Sequence, residues 1–213
     1  MAPPGVQMIL TSYGVPELSA SGYAQAIAAI DGPVRRLIAR KADVLVQAGV
    51  PPTVTAGWGS EDDLRARIAG WANIPFITDI GSCISGLQQL GAHRIAVLAR
   101  LNLQIGLNEY LKHAGLDVAA AAGIEPPEGE EMACVPLNVP YRAAIELRRH
   151  APDADALLIL GAFMPTVGMI HELEGAIDVP VVASAQAMMW QALRLAGVPA
   201  SEVTGFGRLF QAG

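Results

Sequence analysis

Short unbroken apolar runs alternate along this chain with longer stretches whose apolar residues recur every three or four positions. The runs at 6–11, 44–48, 74–78, 95–99 and 179–183 predict strands, and 118–121 is a further candidate. Residues 44–48 do not alternate apolar with polar, so this strand is expected to be buried on both faces, and 6–11 is read as a buried strand as well. Ser19-Ala20-Ser21 reads as a cap opening a helix through Tyr23, Ile27 and Ile30. Gly32-Pro33 is expected to break or kink it before Val34, Leu37 and Ile38 restore the apolar face. The acidic start Ser60-Glu61-Asp62-Asp63 predicts a helix carrying Leu64 and Ile68. Further helices are predicted over 81–90, through Leu107, Tyr110 and Leu111 to a stop at Gly115, and over 141–149, 166–174 and 187–196. Residues 123–131, with Pro126-Pro127, read as a loop. Strands alternating with amphipathic helices predict an α/β layered fold with mainly parallel sheets.

The pattern repeats itself. Ala42-Asp43-Val44-Leu45-Val46-Gln47-Ala48-Gly49 shares its plan with Ala154-Asp155-Ala156-Leu157-Leu158-Ile159-Leu160-Gly161, and Pro-Thr follows each glycine closely. Downstream, Ile74-Pro75-Phe76-Ile77-Thr78 matches Val179-Pro180-Val181-Val182-Ala183, and each run leads into a helical segment ending near Gly91 or Gly197. Two copies of one strand–turn–helix–strand–helix unit predict two pseudo-symmetric, Rossmann-like halves with a cleft between them. One lobe is expected to span about 1–91 plus the C-terminal end, and the other about 92–200. In open sheets of this type ligands bind beyond the carboxyl ends of the strands, where both glycine turns fall.

Composition narrows the function. The 213 residues are 52% hydrophobic and only 16% charged, yet every apolar run is cut well short of a membrane span. The N-terminal residues have no basic, then apolar, signal-peptide plan. A net charge of -6 with scattered lysines and arginines argues against a nucleic-acid partner. Cys83 and Cys134 lack metal-ligand or CxxC spacing, so neither a metal site nor a disulfide framework is expected and the cytoplasm is the default location. No G-x-G-x-x-G follows the first strand, which counts against a dinucleotide domain, and no cofactor is expected. A small-molecule substrate is the expected partner, and a homo-oligomer stays open.

The repeated stretches, together with 86–91, His93-Arg94-Ile95-Ala96, 179–190 and Gly205-Phe206-Gly207-Arg208-Leu209-Phe210, resemble the aspartate/glutamate racemase superfamily. The resemblance is strongest to the branch of arylmalonate decarboxylases and maleate cis-trans isomerases. It implies two α/β halves with the active site between them. It also implies a cysteine after the central strand of one or both halves, and the matching positions here are Gly49 and Gly161. Where the decarboxylases carry Thr-Ser after the first turn, this chain has Val50-Pro51, and Arg100-Leu101-Asn102-Leu103 replaces an expected tyrosine. A thiol mechanism is therefore not expected here.

Family-like geometry places Ser12, Tyr13, Val50, Asp79, Arg100, Phe163 and Gln186 at strand ends facing the cleft. Tyr13 is a candidate general acid or an ordinary turn tyrosine, and Asp79 a general base or a helix cap. Arg100 is a carboxylate clamp or a salt-bridged surface arginine, and Gln186 a ligand contact, as in the isomerase branch. Gly49 and Gly161 would let backbone amides approach a ligand oxygen closely, with Pro51 and Ala162 beside them. The apolar Ala162-Phe163-Met164 and Met188-Met189-Trp190 suit a hydrophobic substrate or pack in the core. His171 is expected to be solvated. Two functions compete: a cysteine-independent decarboxylase or isomerase of a small, largely apolar carboxylic acid or carbonyl compound, through an enolate-like intermediate, and a catalytically silent binding protein on the same fold.

Overall fold

The computed structural model describes residues 1–100, 106–199 and 202–212. Among the described residues two all-parallel sheets carry the chain. The smaller pairs β1 (Leu45–Gln47) with β2 (Phe76–Thr78), Leu45 opposite Phe76. The larger runs in the order β4 (Asp117–Ile124), β3 (Arg94–Arg100), β5 (Ala156–Ile159), β6 (Val181–Ala183). The duplication is visible in register: Leu157 faces Val181 across β5 and β6 as their sequence counterparts Leu45 and Phe76 face each other across β1 and β2.

The helices are α1 (Ala20–Ala28), α2 (Asp31–Ala39), α3 (Val50–Ala56), α4 (Ser60–Ala69), α5 (Asp79–Gln89), α6 (Leu107–His113), α7 (Asn138–His150), α8 (Ile170–Ile177) and α9 (Ser184–Leu195). Ser19 caps α1 by accepting from the Gly22 amide, as its sequence predicts. The break before α2 falls just ahead of Gly32-Pro33, and Pro33 sits in the first turn of α2, where its missing N–H costs little. α3 escapes prediction because Val-Pro-Pro-Thr-Val-Thr is poor in helix formers. Its prolines are tolerated because they too occupy the first turn.

Residues 6–11 are a correction: they form no strand, and Met8 and Leu10 are 63% and 85% exposed. An apolar run becomes a strand only where a neighbouring ladder takes up its backbone groups, and the smaller sheet stays two-stranded. The same sheet leaves Val46 partly exposed between buried Leu45 and Gln47, so β1 is not covered on both faces. The predicted loop at 123–131 begins two residues late, because Gly123 and Ile124 still pair with β3.

The larger sheet is covered on both sides. Ile95, Val97, Leu158, Leu160 and Val182 share a core with Leu87, Leu111 and Trp190. Leu98, Leu157, Ile159 and Val181 face Leu147, Ile170 and Leu173. A third core joins Leu45 and Phe76 to Val34, Leu64 and Ile68. α5 packs along α9, so the seam between the halves is built from the two helices that follow β2 and β6. Among the described residues no helix is long and apolar enough to cross a membrane.

Candidate active site

Both repeated strands end in a glycine that leaves the usual backbone region, Gly49 at φ +99 and Gly161 at φ +138. Side chains rarely adopt such angles, so glycine is the residue that makes each turn without strain. The repeat then places Asp79 at the first position of α5 and Ser184 at the first position of α9. Each turn is closed by its partner: the Gly49 amide donates to Asp79 Oδ2 at 3.2 Å, and the Gly161 amide to Ser184 Oγ at 3.1 Å. The Ser184 hydroxyl also favours the ionised form of Asp79.

By sequence the Gly49 and Gly161 amides either approach a ligand oxygen or simply belong to positive-φ turns; in the fold both turns have positive φ and the chain's own side chains accept from the two amides. Peptide donors still exist one step further along. The amides of Ala162 and Phe163 make no hydrogen bond among the described residues. In the first half, Pro51 and Pro52 follow Val50, so two of the first three helical positions have no N–H to offer.

Asp79 is fully buried. Its neighbours stabilise the carboxylate: the Ser184 hydroxyl, the Gly49 amide and the Cys83 thiol, whose Sγ lies 3.8 Å from Oδ1. Burial nevertheless outweighs all three and pushes its pKa up to about 6. Helix capping, the alternative reading, belongs instead to Thr78, whose Oγ1 accepts from the Gly81 amide. Cys83 is buried beside the carboxyl, and burial drives its thiol pKa far up, so it is held as a neutral thiol.

Tyr13 joins this group. Its hydroxyl donates to the Ala48 carbonyl at 2.9 Å and accepts from Gln47 Nε2 at 2.9 Å. Burial and then the nearby Asp79 charge raise its pKa, while the Gln47 hydrogen bond opposes them. A Cβ at Gly49 would lie 3.8 Å from this hydroxyl, so Tyr13 borders the first turn. Gln47 stiffens the turn: its Nε2 also reaches the Ala48 and Gly49 carbonyls at 2.8 and 3.0 Å, and its Oε1 accepts from Thr53. On the second turn, a Cβ at Gly161 would meet Met164 at 3.4 Å, an apolar wall.

Other expected site residues are placed differently. Gln186 is fully buried, and its amide is committed at both ends, Oε1 accepting from Ala183 N and Nε2 donating to the Phe206 carbonyl. It ties the C-terminal segment to α9 and has no free end for a ligand. Val50 is core, 2% exposed, while Pro51 and Ala162 are half-buried. Ser12 is exposed, its Oγ accepting from the Gly14 amide. Phe163 is 76% exposed beside Gly161. Arg100 closes β3 and donates through Nε to Glu125 at 3.2 Å, away from the interactions that set Asp79. Met164 and Trp190 are core, and His171 is exposed. Residues 101–103 of the Arg100–Leu103 substitution lie outside the described residues.

Three residues escaped sequence reasoning. Ser184 is found by aligning the halves, since it stands where the first half has Asp79. Glu174 reads as a surface helix residue but is 4% exposed, accepting from the Val181 and Arg208 amides. Glu61 is held by Thr78 and by the Tyr110 hydroxyl at 2.8 Å. A surface groove of about 510 Å³ lies at the other ends of α5 and α9, lined by Ser85, Gln88, Trp190 and Arg194 among others, away from Asp79. Among the described residues no group of three His, Cys, Asp or Glu side chains could hold a metal.

Comparison with known proteins agrees with this architecture. Residues 2–210 match the arylmalonate decarboxylase (Amdase) family. The arylmalonate decarboxylase of Bordetella bronchiseptica is 27% identical over 209 residues, covering 97% of this chain and 87% of that protein. A maleate isomerase of Geobacillus stearothermophilus is 26% identical over 164 residues, 72% of this chain and 64% of the isomerase. A crystal structure of arylmalonate decarboxylase superposes with a TM-score of 0.83 at 27% identity, covering 90% of this chain and 85% of its own. Maleate isomerase Iso from Pseudomonas putida S16 shares the fold, with a TM-score of 0.82 at 24% identity over 91% of this chain and 80% of its own.

Proposed function

Because the chain belongs to the arylmalonate decarboxylase family, we propose that it is a decarboxylase or isomerase of a small, largely apolar carboxylic acid, with Asp79 in place of a thiol as the proton carrier. The observation that carries this reading is a fully buried carboxyl that accepts from the Gly49 amide at the turn after the first repeated strand, where burial pushes its pKa up to about 6. A group titrating there is ionised for the most part at neutral pH and keeps a protonated fraction, so it can both take and return a proton. The positions that match the family cysteines are Gly49 and Gly161, and Cys83 is held neutral. Neither supplies a thiolate.

In decarboxylation the bond from the α-carbon to the departing carboxylate breaks and CO2 leaves. Its electron pair passes into the remaining carbonyl group as an enolate. The protonated Asp79 then gives its proton to the α-carbon and is reprotonated from water. Isomerisation of an acid with a saturated α-carbon, by racemisation or double-bond migration, passes through an enolate of the same kind, reached when the Asp79 carboxylate removes the α-proton. The Ala162 and Phe163 amides are placed to hold the enolate oxygen, an interaction that strengthens as charge develops. Tyr13 assists as a hydrogen-bond donor, its proton passing from the Ala48 carbonyl to a substrate oxygen. Phe163, exposed beside Gly161, favours an apolar substituent over a charged one.

A panel of arylmalonates, maleate and unsaturated acids in D2O tests this, by CO2 release and by deuterium at the α-carbon. Turnover by the parent and its loss in Asp79→Asn support the reading. Turnover that survives Asp79→Asn refutes the assignment of Asp79. No turnover, with ligand-dependent melting shifts, favours the silent binding protein, a reading that draws on the glycine amides already filled from within.

A further inference from the structure

We propose that Gln47 is a positioning residue for Tyr13, holding the phenol so that its proton is given only towards the first glycine turn. This role rests on the reading of Tyr13 as a donor to a substrate oxygen. Its starting point is a polar residue where the fold is satisfied by an apolar one. Gln47 ends β1 in a run that is otherwise Val44, Leu45, Val46 and Ala48, and its counterpart in the second half is Ile159. Both are buried, 3% and 1% exposed. An aliphatic side chain therefore meets the packing at this strand position, and a buried amide there has to be accounted for by what it bonds.

Each polar atom of that amide is committed, and in one sense only. Nε2 lies 2.8 and 3.0 Å from the Ala48 and Gly49 carbonyls and 2.9 Å from the Tyr13 hydroxyl oxygen, while Oε1 accepts from Thr53 Oγ1 at 2.8 Å. Carbonyls only accept, so they hold the NH2 end in place, and a flipped amide would set oxygen against oxygen twice. The phenol thus receives a hydrogen from Gln47 and cannot return one, since an amide nitrogen is no acceptor. Its own hydrogen goes to the Ala48 carbonyl at 2.9 Å, beside the Gly49 turn, and on the proposed reading from there to a substrate oxygen. A hydrogen bond into the phenol oxygen also stabilises the charge that grows there as the proton leaves. It works against burial and against Asp79, the titratable group that raises the phenol pKa. Gln47 gives the hydroxyl both a direction and an easier release.

The test is the ionisation of the phenol at position 13 in the ligand-free protein, with a fluorinated tyrosine placed there so that it titrates in a mild pH range and is followed by 19F NMR. Gln47→Met, close in shape but without donors, should raise the midpoint by about one pH unit, as expected when one hydrogen bond to the charged form is lost. If the methionine variant does not fold, the protein with its own Gln47 gives the reading: ionising the phenol should move a glutamine side-chain NH2 signal that Tyr13→Phe also moves. In turnover on the same panel of acids, Gln47→Met should lower kcat about tenfold with KM within about threefold, and should add nothing to the loss in Tyr13→Phe. An unchanged midpoint, the absence of a glutamine signal that follows the phenol, or losses that simply add in the double variant overturn the proposal. Because the titration needs no turnover, a midpoint that moves in a protein with no decarboxylase or isomerase activity sinks the functional reading alone. An active protein whose midpoint stays in place sinks only the role of Gln47.

Discussion

Replacing the buried carboxyl should make the protein more stable at neutral pH, not less. Asp79 has an ordinary pKa of 3.8 and is raised to about 6 in the folded chain, chiefly by burial. The folded state therefore binds the proton more tightly than the unfolded one. Well below pH 3.8 both states are protonated and Asp79 contributes no pH-dependent cost. As pH rises through 3.8 towards 6 the unfolded chain ionises first, and stability falls until the folded carboxyl ionises too. Above that window the gap corresponds to a loss of about 3 kcal/mol, at about 1.4 kcal/mol per pKa unit. About 0.5 kcal/mol of this is already lost at pH 4, where the unfolded carboxyl is half ionised or slightly more. An asparagine side chain cannot ionise, and its Oδ1 can still accept from Gly49. The Asp79→Asn variant should thus gain on the parent by about 2.5 kcal/mol between pH 4 and pH 8. Any pH-independent cost of the amide, about 1 kcal/mol for a poorer hydrogen bond, cancels in that difference. Urea unfolding of both proteins at pH 4, 5, 6, 7 and 8 measures it. A stability difference that stays flat across this range would refute the account of Asp79 as a carboxyl whose proton affinity is raised by burial.

Three further outcomes follow from the same contacts. Tyr13→Phe should lower turnover by about 100-fold or more if the phenol takes part in proton transfer, while unfolding free energy moves by about 1 kcal/mol for the lost Ala48 bond; turnover within about threefold of the parent removes Tyr13 from the chemistry. Gln186→Ala should cost about 2–4 kcal/mol, because Ala183 N and the Phe206 carbonyl lose buried partners, and calorimetry should show melting lowered by roughly 5–15 °C. A melting point unchanged by Gln186→Ala would restore that residue as a ligand contact. Gly161→Cys places its Cβ at an ordinary 3.4 Å from Met164 but at φ +138, a strain of about 1–3 kcal/mol; it should fold and gain arylmalonate decarboxylation that a thiol reagent abolishes, and a folded variant with no gain would count against a family-like pocket.

What the sequence disclosed is traceable to physics that acts over a few residues. Apolar runs between breakers located β1, β2, β3, β5 and β6, and the repeat alone placed the glycine turns at matching strand ends. The same repeat contained Ser184, because sliding one half onto the other sets it against Asp79. Gln186 misled because a buried amide and a ligand-facing amide look alike in a chain; what separates them is the arrival of the Phe206 carbonyl from 20 residues away. Glu174 misled for a related reason: its helix pattern is that of a solvated acid, and only the folding back of Arg208 buries it. Residues 6–11 failed in the opposite direction. Their composition suits a strand, but a strand also needs a paired edge, and pairing is set by the rest of the sheet.

The halves are similar in backbone and opposite in chemistry, and the difference has a direction. After Gly49 come Val50, Pro51 and Pro52, which leave one amide in three positions, and the Gly49 amide itself is taken by Asp79. After Gly161 the Ala162 and Phe163 amides stay free among the described residues, and the side chain opposite is a neutral hydroxyl. A developing negative oxygen would be repelled by an ionised Asp79 and would find few donors beside it, so the second turn is where such an oxygen is best held. A proton donor works best on the opposite side of the reacting carbon, where its own charge after transfer does not compete for the same amides. On the proposed reading of Asp79 as proton carrier, placing the carboxyl in the proline-bearing half and the free amides in the other meets both demands. A duplicated unit with identical turns would have set acid against acid, or left two sets of donors and no proton to move.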